Sequence, residues 1–148
     1  MSNFSHLKKL NIEEDRTAEY VVHELEPAVK LTVRPASECN KKYFNAVIRL
    51  SKKRSGRKSS VSLKAIEEDR KDDLPLFAKY IIVDWKNCVD ANGKEVEFSV
   101  EDCEEFLNCL PPYLFNQLRL FCSDITNFYP EDEDDVSDEN LGEYLDED

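Results

Sequence analysis

Four groupings in this sequence contain residue types that do chemistry. The two histidines, His6 and His23, are the first. A catalytic imidazole needs a nucleophile to deprotonate and a partner to orient it. Neither histidine stands in a nucleophile motif with Ser or Cys, so both are expected to be ordinary satisfied or solvent-facing side chains. The second grouping, Asp90-x-Asn92-Gly93, has the look of the middle of a calcium loop. Placing Gly93 at loop position six puts Cys88 at position one and Ser99 at position twelve, where an EF-hand needs Asp and a bidentate Glu. The strongest ligands are missing, and a plain turn is expected. The third is the set of five cysteines, Cys39, Cys88, Cys103, Cys109 and Cys122. An odd number without a C-x-x-C pair fits neither a disulfide framework nor a zinc site. Most lie among apolar residues, where a reduced thiol packs as a small hydrophobe. No phosphate-cradling or zinc-protease motif is present, and three glycines leave little material for a phosphate loop. The sequence therefore predicts no catalytic, cofactor-binding or metal-ligating residue, and a binding protein in place of an enzyme.

The fourth grouping is electrostatic. From Lys41 to Lys58 there are eight Lys or Arg and no acid. Five of them, Lys52, Lys53, Arg54, Arg57 and Lys58, crowd one Ser-rich loop (52–60), enough for several phosphate contacts. No aromatic residue interleaves with them to stack on bases, and the chain carries its own competing polyanion. Nucleic acid is therefore disfavoured against a solvated or tail-contacting loop, or a protein partner. The polyanion is the C-terminus. The formal net charge is −12, yet residues 131–148 hold 11 acids and no base. The rest balances 21 acids against 20 bases. Such a run repels itself and has little to bury, so it is expected to stay disordered by itself. Leu141, Tyr144 and Leu145 interrupt it at i, i+3, i+4 spacing, which could anchor it on another surface.

The 148 residues suit one domain, with 41% hydrophobic content and eight Phe, six Tyr and one Trp to build a core. Segments 18–25 and 28–34 read as strands. The second alternates cleanly, with Val29, Leu31 and Val33 on one face. Glu26-Pro27 separates them, and Pro35 ends the second. Lys41–Ser51 reads as a helix with Phe44, Val47, Ile48 and Leu50 inward. A charged helix capped by Ser60 or Ser62 is expected through Arg70. A new helix is then expected to begin at Asp72-Asp73-x-Pro75 and run through Trp85, apolar on nearly all sides. An Asn-Gly turn lies within 89–96. Ser99 opens a capping box with Asp102, and Val100, Cys103, Phe106, Leu107 and Leu110 form a stripe. Pro111-Pro112 breaks that helix, and a last one is expected from Tyr113 to Phe128. The predicted fold is α+β: an N-terminal β-hairpin, or small antiparallel sheet, packed with four to five helices. The domain spans 1–130, with the acidic tail at 131–148. No apolar stretch suggests a signal peptide or membrane span.

The order of motifs resembles one family. Val33-Arg34-Pro35 ends the strands, Asn40 and Tyr43 open a helix, and Val83-Asp84-Trp85 closes a later one. A Val89-Asp90-x-x-Gly93-Lys94 turn, a Ser-capped helix and Asn127-Phe128 follow. Over residues 17–128 this resembles the tail assembly chaperones of long-tailed bacteriophages, encoded between the tail tube and tape measure genes. The resemblance implies a protein of the host cytoplasm. It would bind and solubilise the aggregation-prone tape measure protein and help tail tube subunits gather on it, with self-association left open. Val33, Arg34, Trp85, Phe106, Leu118 and Phe121 are the partner-binding candidates. The competing classes are a virion component, such as a head–tail connector or tail completion subunit, and a small inhibitory or nucleic-acid-related module.

Overall fold

The computed structural model describes residues 3–54 and 62–129, with nothing of the Arg54 side chain. The acidic tail and most of the basic loop lie outside the described residues. So does the expected anchor at Leu141, Tyr144 and Leu145.

Three antiparallel strands form one sheet in the order β1-β2-β3: β1 (Ala18–Val22), β2 (Val29–Val33) and β3 (Ile82–Lys86). The alternation of β2 is realised, with Val29, Leu31 and Val33 buried and Lys30 exposed. β1 pairs from Ala18 with Val33 to Val22 with Val29 and is shorter than expected, stopping before His23. On its other side β2 pairs with β3, with a shift in register between Thr32 and Val33.

Among the described residues there are four α-helices: α1 (Lys41–Arg54), α2 (Leu63–Leu76), α3 (Val100–Cys109) and α4 (Pro112–Ser123). Asn40 caps α1, its Oδ1 accepting from the Tyr43 N–H at 3.3 Å. The buried face of α1 is Tyr43 and Ala46, with Val47 and Leu50 half-buried, whereas Ile48 points outward. This is the i, i+3, i+4, i+7 stripe shifted by one residue from the expected one. The helix also runs three residues further, into the basic run. Ser62 caps α2 by accepting from the Ala65 N–H at 3.1 Å. Ser99 caps α3 by accepting from the Asp102 N–H at 3.1 Å, as the capping motif predicts.

The expected helix from Pro75 to Trp85 is corrected. Pro75 lies inside α2, and a buried stripe runs across it from Leu74 of α2 to Phe77, Ala78 and Ile81 beyond the end of that helix. That burial outweighs the missing Pro75 N–H. A π-helical turn, Phe77–Ile81, follows, and the Ile82 N–H donates back to Phe77 O. From Ile82 the backbone is extended, so Val83, Asp84 and Trp85 belong to a strand. A short apolar run buried on both sides has no period to separate helix from strand. Here the Ile81–Ile82–Val83 run and Trp85 follow the β preference of branched and aromatic side chains.

The last helix is also shorter than expected. α4 stops at Ser123, because the Asp124 Oδ1 accepts from the Thr126 N–H and hydroxyl at 3.0 and 2.6 Å. That competing local bond starts a separate 3-10 turn, Ile125–Phe128. Val100, expected on the buried stripe, is at the surface, while Cys103 and Leu107 are fully buried.

Candidate functional site

The outer strand β1 packs against α4, which carries two exposed apolar side chains. β1 is an outer strand, and among the described residues no other strand pairs with its free side. Such an edge presents unpaired backbone donors and acceptors. Tyr20 ties it to α4: its ring lies 5.0 Å from that of Phe121, which lies 6.1 Å from Phe128. Next to Phe121 on α4, Leu120 is 72% exposed, and Tyr113, two turns earlier on the same face, is 57% exposed. Below the edge, the Arg16 Nε donates to Phe128 O at 3.1 Å and its Nη2 to Tyr129 O at 3.2 Å. These bonds fasten the approach to β1 onto the end of the body. Burial and the nearby Glu24 carboxylate raise the Tyr20 pKa, so its phenol stays protonated at neutral pH.

A polar cluster joins α1, α2 and α4. The Tyr43 hydroxyl donates to Asp73 Oδ1 at 3.3 Å, and the Arg119 Nε donates to Asp73 Oδ2 at 2.8 Å. The Arg119 Nη1 also donates to Asn116 Oδ1 at 3.1 Å, and its guanidinium lies over the Phe115 ring. Burial and Asp73 push the Tyr43 phenol far above its ordinary value. A phenol that holds its proton and a carboxylate bound to a guanidinium make a structural clamp, not an acid–base pair.

The six residues singled out from the sequence fall into two groups. Val33, Trp85 and Leu118 are core side chains, 0%, 6% and 1% exposed. Trp85 stacks edge-on against Phe98 and Phe106 at 5.2 and 5.5 Å, and its Nε1 donates to Val96 O at 2.8 Å. Phe106 and Phe121 are half-buried at the margin of the core. Arg34 is half-buried too: its backbone N–H donates to Ile81 O, while its Nε is buried without a hydrogen-bond partner. Leu120 and Tyr113 were missed in the sequence because a helical stripe marks the buried face. An apolar residue off the stripe carries no periodic signal.

Among the other chemical candidates, Asp90, Gly93 and the buried cysteines take structural roles. The Asp90 Oδ1 accepts from the Asn92 and Lys94 N–H groups, both at 2.9 Å, and so is used inside the turn. Gly93 supplies the positive φ of 80° that closes this turn, after which Val89 pairs with Glu95. His6 and His23 are exposed. Cys88, Cys103 and Cys122 are buried, and burial pushes the Cys103 thiol up to about 12 and the Cys122 thiol higher. Cys109 is exposed and Cys39 half-buried. No group of His, Cys, Asp or Glu among the described residues is arranged to hold a metal ion, and none of the helices there is long and apolar enough to cross a membrane.

The described residues thus form an α+β fold, a three-stranded antiparallel sheet packed with helices. The YdaY prophage protein family matches residues 39–139, well over half of the chain. The chain belongs to that family and is phage-derived. The match takes in all four helices and β3 but leaves β1 and β2 outside it. No curated protein and no solved structure matches the chain.

Proposed function

We infer that this phage-derived protein is a tail assembly chaperone. It is a binding protein without catalysis that holds a segment of the tape measure protein and keeps it soluble while the tail is built. The observation that carries this reading is the outer edge of β1, a strand tied to α4 through Tyr20 and Phe121, together with Tyr113 and Leu120 exposed on that helix. A strand edge binds an extended client through main-chain hydrogen bonds, and a helix face binds an amphipathic one at i, i+4 anchors. Both modes tolerate many sequences, which suits a long, aggregation-prone client. The phage origin and the motif order over residues 17–128 support the same reading. The 11 acids of residues 131–148 supply the charge that keeps a complex with an apolar client dispersed.

Co-expression with a phage tape measure protein tests it. The client is expected in the soluble fraction with this protein bound. Leu120→Asp, at a position 72% exposed, should release the client without unfolding the binder. A client that stays insoluble alongside the folded protein overturns the chaperone reading. Stoichiometric retention in finished particles would instead favour a connector or tail completion subunit.

A further inference from the structure

A second concave surface, unrelated to the strand edge, lies between α1 and α2. It is a groove of 320 Å³ lined by both helices and the π-helical turn. Its floor is apolar, made largely by Leu50, Leu76 and Tyr80, all half-buried. Its rim carries three exposed cations, Arg49, Lys53 and Lys79, against one acid, Asp72. Asp72 is already engaged in an interaction of its own, whereas no ion pair holds the three cations among the described residues. On the far side of Pro75 the neighbouring groove is opposite in sign. It is lined by Glu101, Glu104 and Glu105 of α3 with Lys71 as its cation. An acidic segment is therefore repelled from one groove and attracted to the other.

We propose that the basic groove is the docking site of this chain's own C-terminal segment, 139–148, through Leu141, Tyr144 and Leu145. Three observations converge on that occupant. The spacing i, i+3, i+4 places the three apolar side chains on one face of a single helical turn, matching an apolar floor between two cationic rims. Around them stand Glu139, Glu143, Asp146, Glu147 and Asp148, complementary to Arg49, Lys53 and Lys79. Finally, the described body ends at Tyr129, twelve residues before Leu141. Twelve residues reach about 40 Å when extended, against a radius of gyration of about 14 Å for a body of this size. A tether of that length holds the segment at an effective concentration on the order of millimolar. Weak apolar and ionic contacts are then enough to populate the docked form. The residues between 131 and 138 act as an acidic spacer, and only the last ten make the contact.

The test uses the full-length protein and two surface variants. One is Leu141→Ala/Tyr144→Ala/Leu145→Ala, and the other reverses the rim with Arg49→Glu/Lys53→Glu/Lys79→Glu. Amide resonances of residues 46–53 and 72–80 should move in both variants relative to the parent. In both, the 139–148 resonances should shift to random-coil positions, and about 500 mM NaCl should do the same to the parent. Unmoved sheet and α3 resonances verify that the rim-reversed protein is folded. Groove resonances unchanged by the tail substitutions would overturn the proposal, as would shifts that map to another surface. Shifts that grow with protein concentration while tumbling slows would assign the groove to the tail of a second copy, and would equally overturn it.

Discussion

Trp85 shows how a single residue carries several structural duties. It fills the core beneath β3, meets two aromatic rings edge-on, and uses its one donor on Val96 O. Trp85→Ala should destabilise the fold by about 3–5 kcal/mol, read in a denaturant titration. A loss under about 1 kcal/mol would mean the indole is not core-forming. The buried thiols give a second test. Cys103 titrates at 9.0 in an unfolded chain and at about 12 in the fold, because burial disfavours the thiolate. Its contribution is therefore full below pH 9.0 and is lost as pH rises toward about 12. The advantage of the parent over Cys103→Ala in melting temperature should narrow across that window under reducing conditions. A gap that stays constant from pH 9.0 upward contradicts the burial account. Ellman titration of the native protein should modify Cys109 first and leave Cys103 and Cys122 unreacted until unfolding.

Among the elements, α1 depends on one buried polar residue. Asn40 accepts from the Tyr43 N–H and donates to Pro35 O and Tyr80 O, both at 3.1 Å. It thereby joins the end of β2, the π-helical turn and the helix start. Asn40→Ala removes a cap and two donors from a 2%-exposed site, a loss of about 2–4 kcal/mol. Asn40→Asp keeps the capping oxygen but aims a carboxylate at two carbonyl oxygens. Its pKa in the folded state should rise, so this variant should gain stability as pH falls and be weakest at neutral pH. Equal stability of the Asp variant at pH 4 and pH 7 would refute that role. Asn40 and Tyr43 were legible as a helix opening, and so were the β2 alternation, a cap at Ser60 or Ser62, the Ser99 cap and the Asn-Gly turn. Each of these is a local signal, decided within a few residues. What escaped was non-local. Pro75 reads as a helix start, yet the buried stripe from Leu74 to Ile81 carries the helix through it. The β3 strand exists because β2 offers it an edge, which no window around residues 82–86 contains. The true ending of α4 was available in principle, since Asp124-x-Thr126 is a local capping signal that the longer apolar stripe masked.

Across the whole molecule, charge is partitioned. Residues 1–130 are nearly balanced, with cations gathered on α1 and acids on α3, while the excess sits beyond residue 130. Binding to nucleic acid through the 41–58 segment should be weak, indifferent to sequence and gone by about 200 mM salt. A selective complex that survives that salt would return the basic segment to the centre of the function. The chaperone proposal puts the client elsewhere, along β1 and α4, and amide exchange tests that placement. Purified complex with a soluble tape-measure fragment should be compared with the free protein by amide hydrogen exchange. The account predicts slower exchange at the outward amides of β1, with protection extending along the face of α4 that bears Tyr113 and Leu120. A stable complex that leaves β1 and α4 exchanging as in the free protein would contradict it.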